Sequence, residues 1–257
     1  MKEISNTMAT LTWPEYEEKT KEVLILPVGS TEQHGPHLPL CVDSVLAEHF
    51  AYALAPMIGG VVAPTVSYGY KSKPFSGGGP LFPGTIDLQG ETFCRLMTDL
   101  LVEFARDGFT KILVMNAHFE NEAFLAEAMD LAGENLGGKV RLLMTNWWDP
   151  MPEELLPQLF TEAPFPGWAL EHAAVTETSL MMHFCPALVR EDRMVDQPPF
   201  VPPMYTAYPL HRDMLPRTGV LASAKGSSAE KGRLIVESVL PKLVDMVEDA
   251  FGEKIKK

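Results

Sequence analysis

Four apolar runs without polar alternation mark the first part of the chain: residues 23–28 (Val-Leu-Ile-Leu-Pro-Val), 61–66, 111–116 and 140–146. Strands buried on both faces read this way, whereas a strand with one wet face alternates. Between them, 44–58, 91–107 and 120–135 are amphipathic stretches of helical length, with Gly108 and Gly137 placed to stop helices. Strand–helix alternation implies crossover units and a mostly parallel sheet with helices on its faces, an α/β fold. After residue 147 the order loosens. The spacing predicts helices over 151–160 and 170–184, an ordered Pro-rich tract over 198–216, and a long final helix over 226–251. No composition shift or low-complexity linker divides the chain, so residues 1–257 are expected to form one domain.

Charge narrows the choice of partner. The chain carries 21 Lys and Arg against 34 Asp and Glu, a net charge of −13. That balance disfavours nucleic acid and anionic membrane and favours a small neutral or cationic molecule. The longest apolar stretches are strand-sized, short of the roughly 20 residues that cross a bilayer, so no membrane span is expected. The N-terminal Met-Lys-Glu-Ile-Ser-Asn-Thr lacks the apolar core of a secretory leader. Cys41, Cys94 and Cys185 are widely spaced among apolar neighbours. They read as small buried side chains in a protein of the reducing cytoplasm, not as a disulfide framework or as nucleophiles.

The chemistry gathers where apolar runs end. Glu32 and His34 follow the first run, and His118 and Glu120 follow the third. In an open parallel sheet the ligand crevice lies beyond the carboxyl ends of the strands, so both pairs are expected to converge on it. Their i, i+2 spacing turns two side chains to the same side of an extended backbone. Imidazoles and carboxylates together favour zinc, manganese or iron over calcium. Asp43 opens the next helix, where a carboxylate either caps backbone amides or bridges two metals about 3.5–4 Å apart. Bridging, as a fifth protein ligand, is its expected use. A third cluster runs from Gly167 to Ser179 and places Glu171 and Glu177 around His172. A neighbouring carboxylate orients an imidazole and raises its basicity, as proton transfer needs. Glu177 can equally be a helix-surface charge. Ser76-Gly77-Gly78-Gly79 lacks the Lys-Ser/Thr ending of a phosphate loop and is read as close backbone approach to a ligand. Trp147, Trp148 and Trp168 either pack the core or close over a small flat substrate. His37, His49, His183 and His211 show no partner pattern and are read as structural.

Val28-Gly29-Ser30-Thr31-Glu32-Gln33-His34-Gly35, Asn116-Ala117-His118-Phe119-Glu120-Asn121 and the Glu171-His172-Ala173…Glu177-Thr178-Ser179 segment, in that order and spacing, resemble the creatininase family of metal-dependent amidohydrolases. The similarity runs nearly end to end. It implies a three-layer α/β/α sandwich, a homohexamer, and two divalent ions per subunit, zinc or manganese. Glu32 and His118 would hold one ion, His34 and Glu120 the other, and Asp43 would bridge them. Ser76, Trp148, Trp168 and His172 match positions around the substrate, with Phe119, Ala169 and Glu171 beside them, and His172 would be the proton shuttle. Two positions depart from the family pattern: Phe119 replaces a tyrosine, and Ala169 an aspartate able to pair with the guanidine-like end of creatinine.

The expected reaction is hydrolysis of a non-peptide C–N bond, the cyclic amide of creatinine opening reversibly to creatine. Water activated by the metals attacks the carbonyl carbon, Glu120 helps hold or deprotonate it, and His172 passes a proton to the leaving ring nitrogen. Within the family the alternatives are a formamide or other small amide, a lactone, a sugar-derived ketone, or a peptide terminus. A nucleotide-binding domain would need a Gly-rich turn where Gly29-Ser30-Thr31-Glu32-Gln33-His34 stands. A non-catalytic assembly protein would close its metal sites, whereas five ligands leave coordination positions open. Apart from the resemblance, the apolar and aromatic tract Gln197–Tyr205 is expected to pack on a neighbouring subunit, the alternative being its own domain.

Overall fold

Strand β1 (Val23–Val28) is buried at every residue, and its side chains divide between two cores. Val23 and Ile25 face one, and Leu24, Leu26 and Val28 the other, as the period of two in an extended chain requires. The same division separates Leu113 and Met115 from Ile112 and Val114 in another strand, Lys111–Asn116. Such strands lie inside a sheet covered on both faces. The computed structural model, which describes residues 6–73 and 75–252, has that arrangement. With β2 (Gly60–Val62), β3 (Lys111–Asn116) and β4 (Arg141–Asn146), β1 forms a parallel sheet of order β2-β1-β3-β4.

A short helix α1 (Trp13–Lys19) precedes the sheet. Helix α2 (Val42–Ile58) packs on one face through Leu46, Phe50 and Leu54. The opposite face is covered by α3 (Gly90–Arg106) and α4 (Glu122–Leu136), through Phe93, Met97, Leu101, Leu125 and Ala128. The single turn α5 (Leu156–Leu159), α6 (Val175–Phe184) and α7 (Ala229–Phe251) join α2 on its side. Three layers result, the expected α/β/α sandwich. Helices α6 and α7 approach closely at Gly232, where a Cβ would lie 2.1 Å from the Ser179 carbonyl oxygen.

The departures from expectation have local causes. Strand β2 stops at Val62 because Pro64 has no N–H to continue a ladder; the chain re-engages the sheet at Val66, which bridges Val28. The helix expected over 151–160 shrinks to a 3₁₀ turn and α5, since Pro157 falls inside it and lacks the N–H of a continuing ladder. The helix expected from 170 begins at Val175, for a reason that belongs to the site. Helix α7 begins at Ala229 instead of 226, capped by Ser228 Oγ, which accepts the Lys231 N–H at 3.2 Å. Apart from a 3₁₀ turn at Arg212–Met214, the 198–216 tract is irregular chain tied down by the Phe200 N–H, which donates to Leu221 O, yet Val201, Met204, Tyr205 and Tyr208 stay exposed. Among the described residues no helix is long and apolar enough to cross a membrane. Residues 1–5, part of the segment read as lacking a leader, lie outside the described residues.

Candidate metal centre

The chain leaves β1 toward β2 on one side, while β3 lies on the other. At such a switch point the loops following the two central strands diverge and open a crevice. The β1 loop begins at Gly29, where a Cβ would lie 2.4 Å from the Ser44 backbone nitrogen. This close approach brings the first turn of α2, with Asp43, back over the crevice. Buried amides hold the ends of β1 and β3 in place. Asn116 Nδ2 donates to His118 O at 2.8 Å and to Asn146 Oδ1 at 2.7 Å, and Asn121 Nδ2 donates to Gly29 O at 3.0 Å.

In this frame five sequence-selected side chains meet, all buried: Glu32, His34, Asp43, His118 and Glu177. Asp43 lies between the two imidazoles, its Oδ1 3.1 Å from His34 Nε2 and its Oδ2 3.1 Å from His118 Nδ1. Glu32 Oε2 is 3.2 Å from His118 Nδ1, and Glu177 Oε2 is 3.6 Å from His34 Nε2. The group around His34 is thus completed by Glu177, where the resemblance implied Glu120. Glu120 lies on the far side of His118, 3.5 Å from its Nε2, and accepts hydrogen bonds from Ser76 Oγ and, at 3.3 Å, from the Lys73 N–H. Ser72 Oγ donates to Glu32.

The remaining ring nitrogens fix which atom of each imidazole is free. His34 Nδ1 lies 3.1 Å from Glu32 O, and His118 Nε2 lies 3.0 Å from Tyr70 O. A carbonyl accepts only from an N–H, so neutral His34 presents a lone pair at Nε2 and neutral His118 presents one at Nδ1. Both lone pairs face Asp43. His34 Nε2 and Asp43 Oδ2 are buried without a hydrogen bond despite these short separations. Acceptors crowded on one another fit a cation: ligands at about 2.0–2.2 Å from a tetrahedral ion lie roughly 3.3–3.6 Å from one another. In three overlapping groups one ligand atom from each residue lies within 4.8 Å of the others: Glu32, Asp43 and His118; His34, Asp43 and Glu177; and Glu32, His34 and His172.

Burial would raise Asp43, but the adjoining His34 and His118 hold its pKa well below the usual carboxylate range. Burial likewise would lower His34 and His118, and the facing carboxylates override it and raise both. Glu32 is raised, because burial outweighs His118. His172 is pushed well below 6.5, first by burial and then by His34, whose ring lies 4.4 Å away between centroids. A neutral His172 beside this cluster can accept a proton.

The 171–177 segment explains the late start of α6. Glu171 accepts the Thr176 N–H at 2.7 Å and the Thr176 hydroxyl, occupying a donor at the helix start. Ala173 has φ +54°, which a right-handed helix excludes, and its N–H donates to Glu177 Oε2 at 2.7 Å. That turn aims Glu177 into the cluster and makes it a buried group instead of a surface charge. Burial, then the Glu177 charge, push Glu171 up to about 7.

Beside the cluster lies a cavity of about 30 Å³, lined by Ser76, Phe119, Glu120, Trp148, Trp168, Ala169, Glu171 and His172 among others. Trp148 and Trp168 stack at 6.4 Å, and Phe119 stacks on Trp148 at 6.2 Å. These three rings separate the inner cavity from an outer groove of about 740 Å³. Trp147 is core, edge-on to both other tryptophans. The glycine run approaches a carboxylate: a Cβ on Gly77 would lie 2.1 Å from Glu32 Oε1.

Sequence reasoning missed Gln33, whose amide meets His172 from 139 positions away, and the backbone carbonyls of Glu32 and Tyr70. No spacing signal announces a partner so distant. It also missed the site's floor, although Asn116 and Asn121 flank the His118 motif.

The family model described as creatinine amidohydrolase matches residues 9–247. The chain is 40% identical over 249 residues to creatinine amidohydrolase of Pseudomonas putida, covering 94% of this chain and 95% of that protein. A solved structure of a creatininase variant complexed with creatine matches at a TM-score of 0.91 and 40% identity, covering 95% of this chain and 98% of the other. A manganese creatininase matches at a TM-score of 0.92 and 39% identity, covering 96% and 98%. A buried cluster of imidazoles and carboxylates able to hold a metal at the switch point of this sheet, a family model spanning most of the sequence and a relative at 40% identity agree: the chain belongs to the creatininase family.

Proposed function

We propose that this protein is a metal-dependent amidohydrolase that opens the cyclic amide of creatinine to creatine, reversibly. The observation that carries this reading is the buried cluster in which Asp43 reaches both His34 and His118 beside an aromatic-walled cavity. Glu32, Asp43 and His118 would hold one divalent ion, and His34, Asp43 and Glu177 a second, zinc or manganese in each case. Bound there, the ions supply Lewis acidity toward a carbonyl oxygen and make water a nucleophile at neutral pH. The chain's own groups do the rest. Glu120, held by Ser76 and the Lys73 amide, orients the attacking water. His172, kept neutral by burial, takes a proton from that water and gives it to the leaving ring nitrogen. The inner cavity has room for about two waters. A flat ring therefore enters only when Phe119, Trp148 and Trp168 part, and their closure excludes solvent.

The chain acts as one domain, and its working form is a homohexamer in the reducing cytoplasm. Cys41, Cys94 and Cys185 are free, and the exposed Val201, Met204, Tyr205 and Tyr208 offer an apolar surface for a neighbouring subunit.

Ala169 and Glu171 both line the cavity, and the Glu171 carboxylate is committed to Thr176. The guanidine-like end of creatinine then lacks a carboxylate of its own. A charge-assisted hydrogen bond there is worth about 1.5–3 kcal/mol, so Ala169→Asp should lower KM for creatinine roughly ten- to a hundredfold. The deciding assay gives metal-loaded protein creatinine, a formamide, a lactone, a sugar-derived ketone and a peptide terminus. Creatine formation is expected. Turnover of another compound with no creatine formed would overturn the substrate assignment.

A further inference from the structure

Gln33 stands between Glu32 and His34, and in an extended segment its side chain leaves on the opposite side from theirs. It is nonetheless buried, 6% exposed. Its carboxamide nitrogen lies 2.9 Å from each of three atoms: Gly77 O, Gly219 O and His172 Nε2. Its oxygen accepts the Gly35 N–H at 3.0 Å. These neighbours settle which end of the amide is which. Reversed, the oxygen would face two carbonyls and the NH₂ group would face an N–H. The N–H side therefore faces His172, and an imidazole nitrogen in front of an N–H must accept. Space confines the carboxamide as well. Gly219 has φ +79°, and a Cβ there would lie 2.0 Å from Gln33 Oε1, so only glycine at 219 leaves room for the carboxamide.

We propose that Gln33 is the positioning residue of His172: its carboxamide keeps Nε2 as the lone-pair nitrogen and the ring proton on Nδ1, and ties that geometry to the loops carrying Gly77 and Gly219. This deepens the amidohydrolase reading and rests on it for the role of His172. Two amide N–H groups serve three acceptors in the resting site. When Nε2 takes a proton from water, an O–H bond of the water breaks and an N–H bond forms, and Nε2 stops accepting. The two N–H groups then match the two carbonyls, the Gln33 contact to Nε2 is given up, and the new Nε2–H is left to face the substrate. Transfer of that proton to the leaving nitrogen of the substrate restores the lone pair and the resting arrangement. The orientation of the shuttle is thereby coupled to two loops far apart in the sequence.

The test is nitrogen NMR of zinc-loaded protein labelled with ¹⁵N-histidine, the His172 signals being assigned by their loss in His172→Gln. The expected spectrum shows an unprotonated Nε2 and a protonated Nδ1. In Gln33→Met, which keeps the volume and removes the donor, the ring should become a tautomer mixture. Its kcat should fall roughly ten- to a hundredfold, as for loss of a group that orients a catalytic ligand, with KM and metal content within about twofold of the parent. A parent spectrum with the proton on Nε2, or a Gln33→Met enzyme with unchanged kcat, would overturn the proposal. Should Gln33→Met fail to fold, the parent spectrum decides alone. Should the parent form no creatine, the functional reading fails while the His172 spectrum still judges Gln33.

Discussion

The strand-end segments and the 171–177 turn supply the same cluster by different means. Glu32, His34 and His118 ride on chain leaving β1 and β3, where sheet register and a period of two place them. Glu177 and His172 depend on one left-handed residue, Ala173, and on a helix that starts five residues later than its sequence suggests. The first group forms a buried charge cluster on a rigid frame. The second completes that cluster with one carboxylate and sets the neutral imidazole next to it. The rigid part thus holds charge, and the turn carries the imidazole proposed to move the proton.

Asp43 joins the two groups, so its loss should have the largest effect. Asp43→Ala is expected to empty both ion positions together and lower kcat by about 10³-fold or more, the several kcal/mol that metal activation supplies. Metal analysis showing one full and one empty position would refute the bridge. The turn alone is tested by His172→Ala, which should keep both ions and lower kcat by roughly 10²–10⁴-fold. Undiminished turnover would reject its role as proton carrier. A sharper contrast comes from two carboxylates. Glu177→Ala should cost the ion at His34, whereas Glu120→Ala should retain it, because Glu120 faces His118 from the other side. Equal losses in the two variants would erase the distinction.

Two stability measurements probe the supports beneath each region. His37, buried with its Nε2 3.0 Å from Thr178 Oγ1, is pushed down to about 4 by burial and by the His34 charge. The unfolded chain titrates this group near 6.5, so between those values the unfolded state binds a proton that the native state refuses. Its contribution is fully present above pH 6.5 and is lost as pH falls toward 4, of order 3 kcal/mol in all. Urea denaturation of His37→Asn should lose that part of the pH slope; an unaltered slope would assign it elsewhere. At Ala173 the strain of a left-handed alanine is relieved by glycine. Ala173→Gly should be neutral or stabilising by up to about 1 kcal/mol, and Ala173→Val destabilising by about 1–2 kcal/mol, read from Tm.

Most of the frame was legible because its signals are local. Unbroken apolar runs marked β1, β3 and β4, Gly137 marked the end of α4, and motifs at strand ends placed Glu32, His34 and His118 in one crevice. Pro64 and Pro157 carried visible warnings about the shortened strand and helix. What stayed hidden depends on chain brought together from afar. The pairing of His34 with Glu177 requires Ala173 in a conformation that alanine rarely adopts, and the contact of Gln33 with Gly77, Gly219 and His172 joins four distant segments.

The central claim is that Asp43 is shared between two ion positions, one completed by Glu32 and His118 and the other by His34 and Glu177. Anomalous diffraction from crystals of the manganese-loaded protein tests it most directly. Two peaks flanking Asp43, one within bonding distance of Glu32 and His118 and the other of His34 and Glu177, are the expected result. A single peak, or a second peak bonded to Glu120 with Glu177 turned away, would contradict it.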